Sequence, residues 1–188
     1  MTTAPLRKDA ARNWERIVAV ARALVDENTP LQLNDIARRA GMGVGTVYRH
    51  FPTAEALLET VAAPSLEALA AHGEQALADE DPGHALAGFL TRTIEAQVAD
   101  ASLSPVTAAH TDALPRTTEL KQTLRSVGRE LLDRARGAKV VRADLTSDDL
   151  VPLMCGIAYA ANVHGDPATR VETARRYLTA LLEGLYLP

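Results

Sequence analysis

The sequence predicts an all-α protein of about nine helices, with an N-terminal three-helix unit over residues 1–52 and a larger helical body over residues 53–188. Three observations carry this. The run from Asp35 to Leu58 reads as two short helices joined by a tight glycine turn. Alanine and leucine dominate while aromatics make up only 4%, which suits packed helices better than sheets. Helix-start signals recur down the chain, and no strand alternation, internal repeat or low-complexity stretch interrupts them.

Taken in order, the first helix is expected from about Asp9 to Glu27. Ile17, Val18, Ala21, Leu24 and Val25 form its buried stripe, Trp14 anchors it, and Asn28-Thr29-Pro30 ends it. The second sets Leu33, Ile36, Ala37 and Ala40 on one face and stops at Gly41, which takes the left-handed cap conformation readily. The third, from Val44 to Phe51, gathers Val44, Val47, Tyr48 and Phe51 into one arc and leaves Gly45, Thr46, Arg49 and His50 opposite. Thr53 caps a fourth helix, with Glu55 favourable near its positive end. That helix carries Pro64 inside its pattern, so it either bends there or is two helices that meet. Asp81-Pro82 opens a fifth. Ser102 to Pro115 is interrupted by prolines and holds one short helix. A long helix from Arg116 to Arg136 is closed by Gly137, and Thr146-x-x-Asp149 resembles a capping box that starts the eighth. Gly165 ends the eighth, and Asp166-Pro167 begins the ninth.

The outer arc of the third helix is small, polar and cationic, and it opens with a helix N-terminus. Such a face fits a DNA major groove, with Arg49 aimed at a guanine edge and first-turn amides at phosphate. The net charge of −4 argues against nucleic acid only until its distribution is read. Residues 1–52 carry eight Lys/Arg against five Asp/Glu, whereas residues 53–188 carry twelve against nineteen. The basic part coincides with the helix-turn-helix, and phosphate repels the acidic body.

Residues 12–63 resemble the DNA-binding domain of the TetR (tetracycline-repressor-like) family of bacterial transcription regulators. The resemblance rests on Arg16-Ile17 and Ala21, then Ile36-Ala37 and Ala40-Gly41, then Gly45-Thr46-x-Tyr48-x-His50-Phe51-Pro52, and lastly Glu55-Ala56-Leu57-Leu58. Beyond that third of the chain, only size and helical pattern are similar. The resemblance implies a homodimer on palindromic double-stranded operator DNA, a repressor released by a small-molecule inducer, with no cofactor. It carries DNA contact onto Arg38, Gly45, Thr46, Tyr48, Arg49 and His50, the Tyr48 hydroxyl reaching phosphate. Two positions depart from the family. Ala54 stands where a basic residue often touches phosphate, and Gly43 replaces the serine that commonly caps the recognition helix. Those departures keep open a second reading: a helical ligand-binding or partner-binding protein whose DNA function is weak or lost.

For the body, the expected cavity lies among the fourth to eighth helices, walled by Phe89, Ile94, Val106, Leu124, Val127 and Tyr159, with His110 close by. Few charges fall on those faces, so an apolar or aromatic ligand is favoured over a sugar phosphate. The dimer is expected on the last two helices, through Leu153, Ile157 and Ala161 of the eighth and Tyr177, Leu178, Leu181 and Leu185 of the ninth. Cys155, the single cysteine, reads as a small buried hydrophobe, and one cysteine excludes an intrachain disulfide. The five histidines lack metal-ligand spacing. No catalytic constellation is present, because the Gly41-x-Gly43-x-Gly45 run follows a helix rather than a strand. No apolar run reaches membrane-spanning length, and the first residues lack a signal-peptide core, so a cytoplasmic location is expected.

Overall fold

The computed structural model describes residues 3–164, 166 and 168–185, with side chains from residue 9 onward except that of residue 164. Among the described residues there are nine helices: α1 (Thr3–Asp26), α2 (Leu33–Ala40), α3 (Val44–His50), α4 (Ala54–Ala76), α5 (Pro82–Ala99), α6 (Leu103–Ala108), α7 (Pro115–Gly137), α8 (Ser147–His164) and α9 (Arg170–Leu185). None is long and apolar enough to cross a membrane. The expected stop at Gly165 and the Pro167 of the expected ninth-helix start lie outside the described residues.

Three helices end by the same backbone device, in which a left-handed residue turns the chain and two amides close back onto the last turn. Asn28, Gly41 and Lys139 hold that position, at φ 53°, 63° and 59°. Closing α1, for example, Thr29 N donates to the Leu24 carbonyl at 2.8 Å and Asn28 N to Val25 at 2.9 Å. Lys139 is a correction. Gly137, expected to close α7, lies inside its last turn, and the left-handed position falls two residues later on a lysine. The starts of α4, α5 and α8 follow the sequence, whereas α1 begins at Thr3 rather than near Asp9 and α9 at Arg170 rather than at Asp166-Pro167. Thr53 Oγ1 accepts from Ala56 N at 3.1 Å, and Asp81 accepts from Gly83 N and His84 N. At α8 the Asp149 carboxylate takes both the amide and hydroxyl of Thr146.

The apolar stripes assemble into three clusters. Ile17, Ala21, Leu24, Ile36 and Val47 bury the head, and the stripe of α1 is as expected except that Val18 is half-buried. Leu57 and Val61 belong to this same cluster, so the head shares the first turns of α4 rather than stopping at residue 52. A second cluster joins α4, α6 and α7 through Leu66, Leu103 and Leu120. The largest fills the body between α5, α7, α8 and α9. α4 is one helix through Pro64, which settles the alternative of two separate helices. Pro64 has no N–H to give the Thr60 carbonyl, so the ladder is thinned at that turn.

α4 meets α7 and α5 at Gly73, where a Cβ would stand 2.9 Å from Val127 Cγ1 and 3.1 Å from Phe89 Cε2. Gly73→Leu should therefore overpack this crossing and cost about 2 kcal/mol in urea unfolding; stability equal to the parent's would mean that α4 and α7 part freely. One turn into α4, buried Glu59 accepts from Ala113 N at 2.6 Å and Leu114 N at 2.8 Å. It supplies the α7 N-terminus with the anionic cap that Leu114 lacks. Buried Lys121 donates to the Val106 and Ala109 carbonyls and to Asp112 at 2.6 Å, which uses all three of its protons to hold α6 on α7.

Asp100, the C-cap of α5, ties the head to the body. One carboxylate oxygen accepts from Arg22 of α1 at 2.7 Å and from the amide and hydroxyl of Ser102 at the start of α6. The other accepts from Ser65 of α4 at 2.5 Å. Arg22 also donates to the Val61 carbonyl, beside the turn that Pro64 thins. Four helices thus converge on one carboxylate.

Candidate nucleic-acid interface and ligand cavity

The geometry of α3 follows from a narrow buried arc. Val47 and Phe51 are buried against the head, but Val44 is 45% and Tyr48 47% exposed. The expected four-residue arc is corrected to two, because α2 covers only one side of so short a helix. Tyr48 therefore stands on the outer face with Gly45 and Arg49, while Thr46 and His50 are half-buried at its edge. The arrangement keeps Tyr48 with the residues that the resemblance assigns to DNA. A Cβ on Gly45 would touch nothing within 4 Å, so crowding inside the chain does not demand glycine there. Gly43, the N-cap of α3, makes no side-chain bond.

The cations of this surface differ in how free they are. Arg49 folds along its own helix, Nε donating to the Gly45 carbonyl at 3.1 Å and a terminal nitrogen to Thr46 Oγ1 at 3.2 Å. Both partners are exposed or half-exposed, so the guanidinium can exchange them for another acceptor at little cost. Arg38 and Arg39 both clasp Asp35, and their hydrogen bonds hold that carboxyl below the usual carboxylate range. Arg38 is bound to Asp35 through one terminal nitrogen. Trp14, expected as an anchor of the first helix, is 42% exposed, with its ring centroid 6.3 Å from that of Phe51.

In the body, a cavity of about 80 Å3 opens between α4, α5, α6, α7 and α8. Leu69, Phe89, Leu90, Leu124, Leu150 and Met154 make its apolar wall, Thr93, Gln97 and Thr107 its polar end, and Arg125 and Ser147 part of its rim. Of the expected walls, Phe89 and Leu124 are in place. Ile94, Val106 and Val127 are buried in the neighbouring cores and do not line it. His110 is exposed, and Tyr159 is 72% exposed on α8, because the inward face of that helix is set by Leu150, Met154, Ala158 and Ala161. Gln97 was not anticipated, although a polar residue in register with buried Leu90 and Ile94 was a readable signal. Cys155 is half-buried, its Sγ 3.8 Å from Thr107 Oγ1.

The expected dimer residues divide. Ala161 and Leu178 are wholly buried in the chain's own core and offer nothing to a partner. Leu153, Ile157, Leu181 and Leu185 are half-buried against that core, and Tyr177 is half-buried under the Arg176 guanidinium. The outward stripe of α8 is instead Pro152, Gly156, Tyr159 and Val163, all exposed.

Both parts of the chain are similar to known protein families. Residues 81–187, more than half of it, match the family described as "Transcriptional regulator SbtR-like, C-terminal domain", and residues 17–61 match "Bacterial regulatory proteins, tetR family". An HTH-type transcriptional regulator of Staphylococcus aureus is 38% identical over 72 residues, 37% of this chain, and the match spans only 39% of that relative's length. The crystal structure of a TetR transcriptional regulator from Streptomyces coelicolor is 30% identical, with 92% of this chain and 98% of that one covered and a TM-score of 0.55. FadR from Bacillus subtilis, in complex with stearoyl-CoA, shares the fold at 16% identity, with 92% and 99% covered and a TM-score of 0.64.

Proposed function

Because the chain belongs to the TetR family of bacterial regulatory proteins, we propose that it is a repressor that binds palindromic operator DNA as a homodimer and is released by a small apolar molecule. The observation that carries the DNA part is the outer face of α3. Gly45, Tyr48 and Arg49 lie exposed on one side of a helix whose other side is pinned by Val47. Arg49 reads a guanine edge through its guanidinium, Tyr48 and Thr46 meet backbone phosphate, His50 borders them, and Arg38 joins once it leaves Asp35.

Selection from random double-stranded DNA, followed by titration of the selected site, tests this. Arg49→Ala should lose about 1–3 kcal/mol of operator affinity and relax the preference at one base pair. Affinity should also fall steeply with salt as arginines displace counterions. If Arg49→Ala binds the selected site as tightly as the parent, Arg49 has no such role. The second reading, a ligand-binding protein with little DNA function, is favoured by the uncapped N-terminus of α3 at Gly43 and by Ala54. It prevails if selection enriches no sequence.

The exposed stripe of α8, with Tyr159 at its centre, supports a two-fold four-helix packing in which α8 and α9 of each subunit meet. Release works as a shift between two arrangements of that dimer. The cavity is walled by α6 and by the end of α5, and those same segments carry Ser102 and Asp100. A ligand that displaces them acts directly on the carboxylate that holds Arg22 of the head. FadR, which shares this fold, is in complex with stearoyl-CoA, a ligand with a long apolar acyl chain.

A further inference from the structure

Resting on the cavity reading above, we infer that its ligand is a compact, neutral apolar molecule bearing one hydroxyl, and that Gln97 Oε1 takes the hydroxyl proton. The inference comes from counting protons at the polar end of the cavity. Thr107 Oγ1 gives its only proton to a backbone carbonyl, with Leu103 O at 2.9 Å and Ser104 O at 3.2 Å. Its oxygen can then only accept from the Gln97 amide, and the nitrogen is the atom that faces it, at 3.5 Å. The second amide hydrogen points to Cys155 Sγ at 4.0 Å. With Nε2 turned to Thr107 and Cys155, Oε1 is left with no partner although Gln97 is only 3% exposed.

Thr93 is in the same condition, because its hydroxyl proton goes to the Phe89 carbonyl at 2.8 Å. The three protons of Lys121 are consumed by Val106, Ala109 and Asp112. The inner end of the cavity thus presents acceptors and no donor. A ligand must bring the donor itself, and a carbonyl, ether or carboxylate would set lone pairs against lone pairs. A cationic ligand finds no unpaired carboxylate on these walls, whereas Arg125 stands at the rim. The size is bounded too. About 80 Å3 is roughly half of the ~150 Å3 that accommodates benzene in an engineered apolar cavity. A single ring enters only as Met154 and Phe89 yield, and an unbranched thioether does so readily.

Phenol, toluene and benzoate share a ring and differ at one substituent, so calorimetric titration of the intact chain with each tests the inference. Phenol should bind at least tenfold more tightly than toluene and more tightly than benzoate. In Gln97→Leu the preference for phenol over toluene should collapse to within about twofold or invert, because the acceptor for the hydroxyl has gone. Thr107→Val, which frees the amide to turn, should weaken the same preference and serves if Gln97→Leu does not fold. Equal affinity for phenol and toluene in the parent, or tighter binding of benzoate, overturns the hydroxyl inference and leaves the cavity reading standing. If neither phenol nor toluene binds, the cavity reading fails and this inference fails with it.

Discussion

Asp100→Ala should destabilise the protein by about 2–4 kcal/mol, the range for removing one partner of a largely buried ion pair after allowance for an arginine that is one-third exposed. The loss has two parts. The Arg22 guanidinium is left with the Val61 carbonyl and with Asp26 at 3.9 Å, and the hydroxyls of Ser65 and Ser102 lose their acceptor. Denaturant unfolding measures it, and a midpoint unchanged from the parent's would mean that solvent replaces the carboxylate without cost. The pH dependence carries a sign. Burial alone would raise the Asp100 pKa, but the Arg22 guanidinium, both serine hydroxyls and the Ser102 amide outweigh it and hold the group below its ordinary 3.8. A group depressed on folding contributes fully above that unfolded value and less as pH falls through the folded one. The gap between parent and Asp100→Ala should therefore narrow in acid, below about pH 4. Because the same carboxylate joins α1 to the start of α6, the variant should also bind operator more weakly, with a smaller response to any cavity ligand.

Tyr159→Asp should leave the subunit folded yet abolish its pairing. The side chain is 72% exposed, so the monomer's core is untouched and its helical signal should persist. In the proposed dimer the same position is central, and a carboxylate there would be buried without a partner. Sedimentation at micromolar concentration should give a 20.1 kDa species in place of the dimer. Operator affinity should fall roughly a hundredfold or more, since two linked half-sites become two independent ones. A variant that still sediments as a dimer would move the interface away from this stripe, and a parent that sediments as a monomer would remove the interface altogether.

What the sequence made legible was local. Helix starts at Thr53, Asp81 and Thr146 depend on a side chain and an amide two or three residues away, so the residues and the structure lie in the same few positions. The turn at Gly41 and the stripes of α1 and α2 depend on the helical period alone. Legibility ended where a helix end or a face is decided by something distant. Lys139 took the left-handed position because two backbone closures onto Ala135 and Arg136 fix it, whereas composition pointed to Gly137. Val44, Tyr48 and Tyr159 share an apolar character with their buried neighbours, and period alone does not say how wide the covered arc is. Glu59 on the α7 start and Arg22 on Asp100 bridge 55 and 78 positions in the chain, a separation at which spacing carries no information. Among the DNA candidates, Gly45 and Arg49 on the outer face of α3 were legible because seven consecutive residues set it, whereas Tyr48 was expected on the buried arc. The cavity wall draws on five helices, and only Phe89 and Leu124 of the expected set line it.

The chain has a single tryptophan, Trp14, half-exposed beside Phe51 at the end of α3. All of its indole emission therefore arises at one place, on the surface expected to face DNA and far from the cavity wall. Operator docking should change the polarity and quenching around that ring, which gives an unlabelled optical titration. A small molecule in the body has no direct contact with it. Any spectral change that such a molecule produces would thus be a readout of mechanical communication between the two ends of the subunit, with the chromophore already built in.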